Sequence, residues 1–333
     1  MKKKNVRYGI LSTAQIVPRF VAGLRESHCG VATAIASRDL EKAQQAAKQL
    51  GIPKAYGSYE ELCQDPEIDI VYIATYNKGH YPAAKLALQH SKHVLLEKPF
   101  TLLASEAEEL FALAREKQCF LMEAQKAVFL PMTALVKQAI QQGKIGKVLY
   151  ARSVTAYPNI DHLTWFHLPE AGGGALHGSG SYPLEYLQFV LGAAIEDYSG
   201  QAAIEPGRTD ERFELSLKFP NQVLASIFIA VKQDLPSEMI IYGEKGRIEV
   251  PTFWKADAGV IRYADGKVEH LESSYSSEFV FEVDHVNECL ASGLLESPIM
   301  TKRMTLDTVS LVEDMYQRWA VGKSATDDQN TGS

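Results

Sequence analysis

Residues 93–100 read "HVLLEKPF", and this stretch decides how the first third of the chain is interpreted. The apolar run at residues 94–96 is typical of a strand that is buried on both faces of a parallel sheet. The run then ends in a carboxylate, an ammonium and a proline, namely Glu97, Lys98 and Pro99. Because ligands of an open parallel sheet bind beyond the carboxyl ends of its strands, the pattern predicts a ligand site beside Lys98.

The sequence around this stretch, over the first 125 residues, alternates β-rich runs with segments of helical period. The amphipathic segment "DLEKAQQAAKQL" at residues 39–50 is one example of the helical pattern. Alternation of this kind predicts right-handed βαβ units and a parallel sheet. The predicted strands are residues 6–11, 31–37, 68–75, 94–96 and 120–123.

After about residue 146 the pattern changes to a period of two. "RFELSLKF" at residues 212–219 alternates apolar and polar side chains, and "QVLASIFIAV" at 222–231 follows a "PN" turn. A further hairpin is predicted around residues 243–246. These signals predict an antiparallel sheet with one covered face, followed by two helices at residues 278–291 and 301–320.

Length and composition set the domain organisation. A chain of 333 residues usually exceeds one hydrophobic core, and 46% hydrophobic with 23% charged residues is typical of a globular protein. We therefore predict one domain at residues 1–125 and a second at 126–325. The polar stretch at 326–333 is predicted to be a disordered tail.

Charge and cysteine usage exclude several functional classes. The balance of 34 basic and 41 acidic residues gives a net charge of −7, which argues against nucleic acid or an anionic membrane as the partner. Four scattered cysteines without a C-x-x-C pair argue against a disulfide framework or a metal site. The first residues are interpreted as a strand rather than a signal peptide, and no apolar run reaches the roughly 18 residues of a membrane span. A cytoplasmic location is expected.

The turn after the first strand, within "YGILSTAQIV", is the candidate phosphate site. A dinucleotide fold needs a tight turn here so that backbone N–H groups and a helix N-terminus meet the pyrophosphate. The three glycine positions of the usual fingerprint are occupied by Ser12, Ala14 and Val17. The alternative is an ordinary turn in which Ser12 or Thr13 caps the helix. The candidate cofactor-binding residues of this turn are Ser12, Thr13, Ala14, Gln15 and Ile16.

The end of the second strand, "AIASRD", bears on which nicotinamide cofactor is bound. NAD sites usually carry an acidic residue there for the ribose 2′-hydroxyl, whereas this chain has Ser37 and Arg38. A hydroxyl and a guanidinium suit a 2′-phosphate, so NADP(H) is favoured over NAD(H). Asp39 is expected to cap the next helix instead. The alternative for Arg38 is a solvated surface charge.

Four motifs together resemble those of the Gfo/Idh/MocA oxidoreductases, in the branch of glucose–fructose oxidoreductase and dimeric dihydrodiol dehydrogenase. They are "IPKAYGSYEEL" at 52–62, "ATYNKGH" at 74–80, "LLEKPF" at 95–100 and "GGGAL" at 172–176. The resemblance implies an α/β fold: an N-terminal Rossmann domain with a doubly wound parallel sheet, then an α+β domain with a large open, mostly antiparallel sheet. It also implies a homodimer or homotetramer formed through that second sheet. The implied reaction is hydride transfer between a nicotinamide and a hydroxyl-bearing carbon of a sugar, polyol or cyclic diol.

The resemblance also implies roles for individual residues of the first domain. Glu97 matches the carboxylate that holds the nicotinamide ribose, and Lys98 matches the lysine near both nicotinamide and substrate hydroxyl. Pro99 directs these two side chains apart, and its peptide bond is often cis in the family. The remaining cofactor-binding positions implied by the match are Thr75, Asn77, His80 and, past the next strand, Gln125. For His80 the alternative is a residue that only caps backbone.

In the second domain the resemblance is incomplete. Family members carry an Asp and, four residues later, a His or Tyr, on one face of a helix. Here the later residue is Tyr182, but the Asp position is Gly178, and adjacent His177 lies about 100° around the helix. His177 and Trp165 remain candidates for substrate binding. An arginine common after the sixth strand is also replaced, by Val128.

Oxidising an alcohol requires a group that takes the hydroxyl proton while the hydride leaves. Tyr and Lys both titrate near pH 10 in isolation, but a neighbouring cation lowers the pKa of a tyrosine. The hypothesis is that Tyr182 transfers the proton and Lys98 polarises it. The alternative, favoured by Gly178, is a sensor or regulatory protein that binds nucleotide on the same fold without turnover.

Overall fold

The computed structural model describes residues 5–330 of the chain, with the side chains of residues 5–320. The chain divides into two compact units, which differ from the predicted boundaries because residues 274–305 return to the first unit. Unit 1 comprises Met1–Thr101, Ser105–Leu130 and Ser274–Thr305, and unit 2 comprises Leu102–Ala104, Pro131–Ser273 and Leu306–Ser333.

Strands and helices alternate through the first 125 residues, as predicted. The strands are β1 (Val6–Leu11), β2 (Gly30–Ala36), β3 (Lys54–Tyr56), β4 (Ile70–Ile73), β5 (His93–Glu97) and β6 (Leu121–Ala124). The helices are α1 (Val17–Glu26), α2 (Leu40–Leu50), α3 (Tyr59–Gln64), α4 (His80–Gln89) and α5 (Ala104–Glu116). The sequence prediction missed β3, which has only three residues.

The six strands form one parallel sheet in the order β3-β2-β1-β4-β5-β6. Every residue of β4 and β6 is buried, as expected for parallel strands that are covered on both faces. The order reverses between β1 and β4, so the carboxyl ends of these strands flank the switch point where such sheets bind ligands.

Unit 2 contains a second, larger sheet. One helix precedes its first strand in the chain, and two more lie between its first and second strands. The helices are α6 (Pro131–Gln141), α7 (Ala175–Ser179) and α8 (Ser181–Leu191). The strands are β7 (Val148–Tyr157), β8 (Asp197–Ile204), β9 (Asp210–Phe219), β10 (Val223–Val231), β11 (Glu238–Gly243), β12 (Gly246–Pro251), β13 (Ala258–Tyr263) and β14 (Val268–Glu272).

The eight strands are ordered β14-β13-β12-β11-β7-β10-β9-β8, and every neighbouring pair is antiparallel except β7 and β10. In β9 the side chains of Phe213, Leu215, Leu217 and Phe219 are buried while Glu214 and Ser216 are exposed. The predicted hairpin also forms, with Gly243 paired to Gly246. The predicted fold class is confirmed in both halves.

Two further helices, α9 (Val280–Ala291) and α10 (Lys302–Asn330), follow the second sheet. α9 packs against α1 and β2 inside unit 1, which the sequence prediction did not foresee. α10 includes residues 326–330 of the predicted disordered tail, and residues 331–333 lie outside the described part of the chain. Among the helices that the structure describes, none combines the length and the hydropathy that a membrane span requires.

Candidate active site

The turn between β1 and α1 contains a residue in a left-handed conformation although it lacks the glycines of a dinucleotide fingerprint. Ser12 adopts φ = 99°, a left-handed conformation that favours glycine. Its N–H donates to the Ala36 carbonyl at 2.9 Å, and its Oγ accepts from the Ala14 N–H at 3.0 Å. No side chain caps α1, so the alternative in which Ser12 or Thr13 caps this helix is wrong. Residues 12–16 lead directly into the N-terminus of α1.

At the end of β2 the polar residues have separate partners. Asp39 caps α2 by accepting from the N–H groups of Glu41 and Lys42, as predicted. The Ser37 Oγ accepts from the Asp39 N–H at 3.3 Å. Arg38 is exposed, and its guanidinium makes no hydrogen bond or ion pair with another described side chain. This leaves Arg38 available to a phosphate.

Glu97 and Lys98 lie at the carboxyl end of β5, and the Lys98–Pro99 peptide bond is cis. The Tyr72 hydroxyl donates to Glu97 Oε1 at 2.6 Å, and the Lys98 N–H donates to Glu97 Oε2 at 3.2 Å. Burial raises the pKa of the Glu97 carboxyl, whereas Lys98 and the Tyr72 hydroxyl oppose that rise. The Tyr72 ring is itself fixed by stacking on Phe20 with 3.5 Å between centroids. The carboxylate is therefore held in one orientation.

His80 joins the ends of β4 and β5 instead of pointing away from them. Its Nδ1 lies 2.7 Å from the Pro99 carbonyl oxygen and its Nε2 lies 3.1 Å from that of Thr75. The ring is 1% exposed, and burial lowers the pKa of His80 to about 4, against these two hydrogen bonds. A neutral imidazole has only one N–H to donate, so one contact at a time is a hydrogen bond. Both ring nitrogens thus face backbone carbonyls of the neighbouring segments, and no side chain caps α4.

The remaining predicted residues of unit 1 lie at the same edge of the sheet. Asn77 is buried in a short 3₁₀ turn after β4, and Gln125 is fully buried directly after β6. Lys126, to which the sequence analysis assigned no role, is 4% exposed. A buried lysine has no local sequence signature, so nothing in the motif could have identified it.

In unit 2, Tyr182 belongs to an aromatic group near the start of α8. Its ring centroid lies 6.3 Å from that of Trp254, and the Tyr157 centroid lies 6.2 Å from Trp254. The Ser179 hydroxyl donates to the Tyr157 hydroxyl at 3.2 Å, and burial raises the pKa of Tyr157. Tyr182 is partly buried and packs against the hydrophobic core, so part of its side chain remains accessible. Sequence reasoning missed Tyr157 because it did not identify β7.

His177 is held within a separate polar cluster of unit 2. Its ring stacks on Tyr316 with 4.2 Å between centroids, and its Nδ1 faces the Gly173 carbonyl at 3.3 Å. The Tyr316 hydroxyl donates to Asp210 Oδ1 at 2.6 Å, and Asp210 Oδ2 accepts from the Leu176 N–H at 2.8 Å. Burial lowers the pKa of His177 to about 4 and raises that of Asp210 to about 6. These contacts fix the start of α7.

The same cluster explains one glycine of the "GGGAL" motif. Gly174 has φ = 110°, and a Cβ there would lie 1.9 Å from Asp210 Oδ1. His177, Asp210 and Tyr316 also line a cavity of about 230 Å³ together with Trp319. The sequence reasoning identified neither Asp210 nor Tyr316, because each lies far along the chain from the motif.

Gly178, the position of the missing Asp, lies in α7 beside Phe166. A Cβ at Gly178 would meet only the Phe166 ring, at 3.6 and 3.7 Å, which is ordinary van der Waals contact. Packing therefore does not require glycine at this position. Trp165 is partly exposed, with its ring centroid 6.3 Å from that of the buried Phe166.

The residues of unit 1 fit a dinucleotide cofactor. The left-handed Ser12 and the uncapped N-terminus of α1 provide backbone donors for phosphates. The oriented Glu97 carboxylate provides an acceptor for ribose hydroxyls. Within the described residues, no group of three or more His, Cys, Asp or Glu side chains is arranged to hold a metal ion.

Comparison with known proteins identifies the two halves of the chain. Residues 6–125 match the family model described as "Oxidoreductase family, NAD-binding Rossmann fold", and residues 133–249 match the "GFO/IDH/MocA C-terminal domain". Among similar curated proteins are trans-1,2-dihydrobenzene-1,2-diol dehydrogenases. That of Xenopus laevis is 34% identical over 89% of this chain and 92% of its own, and that of Mus musculus is 33% identical over 89% and 91%.

Solved structures with the same fold include two oxidoreductases. KijD10, a 3-ketoreductase from Actinomadura kijaniata in complex with NADP and TDP-benzene, has a TM-score of 0.84 at 24% identity and covers 94% of this chain and 98% of its own. An aldose–aldose oxidoreductase from Caulobacter crescentus, complexed with glycerol, has a TM-score of 0.84 at 23% identity and covers 96% and 98%. With both family models matched and relatives above 30% identity over most of its length, this chain is an oxidoreductase that belongs to the Gfo/Idh/MocA family.

Proposed function

We propose that this oxidoreductase is an NADP(H)-dependent dehydrogenase or reductase of a sugar, polyol or cyclic diol. The observation that carries the proposal is the strand end at Glu97 and Lys98, with Glu97 oriented by the Tyr72 hydroxyl. The nicotinamide, when bound, accepts or donates the hydride. The similar curated proteins, which are trans-1,2-dihydrobenzene-1,2-diol dehydrogenases, support the substrate class.

In this proposal Tyr182 exchanges the proton of the reacting hydroxyl and Lys98 supplies a positive charge that favours the tyrosinate. An isolated tyrosine titrates near pH 10, so it needs such a charge to act near neutrality. The partial exposure of both side chains supports the proposal, because a group that meets substrate must be accessible. Glu97 binds ribose hydroxyls and takes no part in the proton transfer.

The preference for NADP(H) rests on Ser37 and Arg38 at the end of β2. Because Asp39 is committed to capping α2, no carboxylate of this strand end is left to bind a ribose 2′-hydroxyl. Arg38 is exposed and lacks a partner among the described side chains, so it can pair with a 2′-phosphate. KijD10, a structural neighbour, was crystallised with NADP.

The substrate is proposed to be a ring with neighbouring hydroxyls. Tyr157, Tyr182 and Trp254 provide aromatic faces, and hydroxyl groups at Tyr157 and Ser179 provide hydrogen bonds. Trp165 is a further candidate for the apolar wall. The absence of a carboxylate at Gly178 leaves one acceptor fewer for substrate hydroxyls, which favours a less densely hydroxylated ring.

We also propose that the chain forms a homodimer or homotetramer through the exposed face of its eight-stranded sheet. Tyr150 and Tyr242 stack on that face with 5.7 Å between centroids, and Leu224 beside them on β10 is 53% exposed. Light scattering of the wild-type chain and of a Leu224→Lys variant tests this. A cytoplasmic location is proposed as well, since Cys29, Cys63, Cys119 and Cys289 form no disulfide.

The experiment that tests the function begins with fluorescence titration of the protein by NADPH and by NADH. A panel of cyclic diols, polyols, aldoses and ketoses then follows, with turnover read as nicotinamide absorbance. We expect tighter binding of NADPH and turnover of at least one cyclic diol or sugar. Tight binding of cofactor without turnover of any panel member would contradict the proposal and favour a sensor function.

A further inference from the structure

Two fully buried tyrosines lie on neighbouring strands of the sheet of unit 1, Tyr8 on β1 and Tyr72 on β4. Both rings pack near Phe20 of α1, with centroid distances of 6.0 Å for Tyr8 and 3.5 Å for Tyr72. The Tyr8 hydroxyl donates to Asn287 Oδ1 at 2.8 Å, whereas the Tyr72 hydroxyl donates to Glu97 Oε1 at 2.6 Å. The two hydroxyls are alike in burial and differ in their acceptor, which is an amide for Tyr8 and a carboxyl group for Tyr72.

The position of the Tyr72 hydroxyl is fixed by the packing of its ring. The planes of the Tyr72 and Phe20 rings are only 5° from parallel. Phe20 is held in turn by α1, where its N–H donates to the Ile16 carbonyl at 3.1 Å, and by Phe279, whose ring meets it edge-on at 6.1 Å between centroids. The phenol oxygen lies in the plane of this stacked ring, so Tyr72 offers its proton at one place.

The Glu97 carboxyl group receives a hydrogen bond at each oxygen. Oε1 accepts from the Tyr72 hydroxyl, and Oε2 accepts from the Lys98 N–H at 3.2 Å. A carboxylate oxygen can accept more than one hydrogen bond, and the Glu97 side chain is only partly buried. Both oxygens can therefore accept a further hydrogen bond, as the two hydroxyls of a ribose would require.

The groups around Glu97 act in opposite directions on its ionisation. Burial raises the pKa of the Glu97 carboxyl, while Lys98, the Tyr72 hydroxyl and Lys126 lower it. Glu282 has its own pKa raised well above the ordinary value, by burial and by Glu97. The titratable groups of the surrounding elements are Lys98 on the same segment, Tyr72 on β4, Glu123 on β6, Lys126 after β6 and Glu282 on α9. A hydrogen bond donated to the carboxylate favours its charged form, so loss of the Tyr72 hydroxyl shifts Glu97 towards the protonated acid.

We propose that Tyr72 is a positioning residue for the cofactor, whose hydroxyl keeps the Glu97 carboxylate ionised and directed at the ribose hydroxyls. This inference rests on the proposed function, because it requires that Glu97 binds the cofactor. A protonated carboxyl carries a hydrogen on one oxygen and loses part of its capacity to accept from two ribose hydroxyls. Affinity for the cofactor therefore falls when the pH drops through the pKa of Glu97, and without the Tyr72 hydroxyl this fall occurs at a higher pH.

The test measures the Kd of NADP⁺ by calorimetry between about pH 5 and about pH 8.5 in the wild type, Tyr72→Phe and Tyr8→Phe. In Tyr72→Phe we expect the midpoint of the loss of affinity to rise by about one pH unit, so that binding below the midpoint is roughly tenfold weaker. Tyr8→Phe is the matched control, since it also removes one buried hydroxyl beside Phe20, and it should keep the wild-type midpoint. The 2′-phosphate of the cofactor titrates near about pH 6, but it does so in every variant and cancels in the comparison.

The variant Glu97→Gln shows whether Tyr72 acts through the carboxylate. The glutamine has no charge to lose, so the pH dependence that belongs to Glu97 should disappear. Adding Tyr72→Phe to Glu97→Gln should then leave the profile unmoved, because the two changes act on one group. A shift in this double variant as large as that in Tyr72→Phe alone would assign the effect to another group and overturn the inference.

Thermal unfolding of each variant verifies folding. Where Tyr72→Phe does not fold, infrared difference spectra between the wild type and Glu97→Gln carry the test, since a protonated carboxyl band of Glu97 at neutral pH would overturn the inference. Equal midpoints in the wild type and Tyr72→Phe, together with tight wild-type binding, overturn this inference alone. Absence of cofactor binding to the wild-type chain overturns the proposed function and the inference together.

Discussion

The strand-end region of unit 1 and the aromatic region of unit 2 are built by different means. In unit 1, Glu97 and His80 are each fixed by two contacts to neighbouring groups at the ends of β4 and β5. In unit 2, the ring centroids of Tyr182 and Trp254 lie 6.3 Å apart, and a Cβ at Gly178 would make ordinary van der Waals contact with the Phe166 ring. Hydrogen bonds with defined partners tolerate few changes, whereas ring packing and open positions tolerate many. Under the proposed function, the comparison predicts that substitutions in the aromatic region change substrate choice and leave cofactor binding unchanged.

The largest expected effect is on kcat, in variants that remove the proposed proton-transfer residues, one in each region. Lys98→Ala and Tyr182→Phe should each lower kcat by about 10²–10⁴-fold, the usual contribution of a positioned proton-transfer group. NADPH affinity, measured by fluorescence titration, should change little in Tyr182→Phe. Full turnover in Tyr182→Phe with none in Lys98→Ala would assign the proton transfer to Lys98 itself.

The next expected effect is on the free energy of unfolding, which should depend on pH through His80 of the strand-end region. The pKa of His80 falls from 6.5 to about 4 on folding, so the unfolded chain binds the proton first as the pH drops. Stability from this group is complete above pH 6.5 and is lost as the pH falls towards 4, by roughly 3 kcal/mol in total.

Urea unfolding at a series of pH values tests this prediction. In His80→Gln the slope of the unfolding free energy between pH 6.5 and 4 should decrease, and His90→Gln, at the partly exposed C-terminal end of α4, is the control. His177 adds a similar contribution in unit 2, since its pKa also falls to about 4. A slope that is the same in the wild type and in His80→Gln would contradict the burial of a neutral imidazole.

A smaller effect is expected on cofactor affinity, which should change for NADPH and not for NADH. Arg38→Ala should weaken NADPH binding by about 10–100-fold, the range for a hydrogen bond to a charged group, and leave NADH unaffected. Titration with both cofactors measures the difference. Arg25→Ala, on α1, is a control in which neither affinity should change. Equal affinities for NADPH in Arg38→Ala and wild type would leave the guanidinium as a solvated charge.

The smallest expected effect is on kcat/KM for polyols, and it tests the proposed substrate region of unit 2. Gly178→Asp restores the carboxylate of the family, and its Cβ would make only ordinary contact with Phe166. For polyols kcat/KM should rise by about tenfold, since one more charged acceptor meets a substrate hydroxyl, while NADPH affinity stays constant. Steady-state kinetics on the polyol panel give the answer. A fall in kcat/KM for every polyol would mean that the glycine serves a substrate without that hydroxyl.

The sequence was sufficient for those features that local pattern determines. Alternation of strands and helices, the 243–246 hairpin, the Asp39 cap and the strand end at Glu97 were all predicted from neighbouring residues and are confirmed. The three-residue strand β3 is too short to show a period. The parallel pairing of β7 with β10 joins segments about 75 residues apart, which no local pattern encodes.

Some residues of the candidate site could likewise be predicted from the sequence, and others could not. Residues within motifs, such as Glu97 and Tyr182, could be identified from spacing and resemblance. Lys126, Tyr157 and Asp210 could not, because each acquires its role from neighbours that are distant in the chain. A buried lysine and a surface lysine look alike in sequence, and only the packing of Glu278 and Phe279 distinguishes Lys126.

The return of residues 274–305 to unit 1 has a consequence for synthesis on the ribosome. The Tyr8 hydroxyl donates to Asn287 Oδ1 at 2.8 Å, and Gly23 packs so closely on Phe279 that a Cβ would lie 2.6 Å from its Cβ. These contacts of the first strand and the first helix cannot form until residues that lie more than 250 positions later in the chain have been translated. A nascent chain that has emerged only as far as residue 273 exposes the part of α1 around Gly23 that Phe279 covers. Unit 1, although it begins first, completes its folding only when nearly the whole chain has emerged.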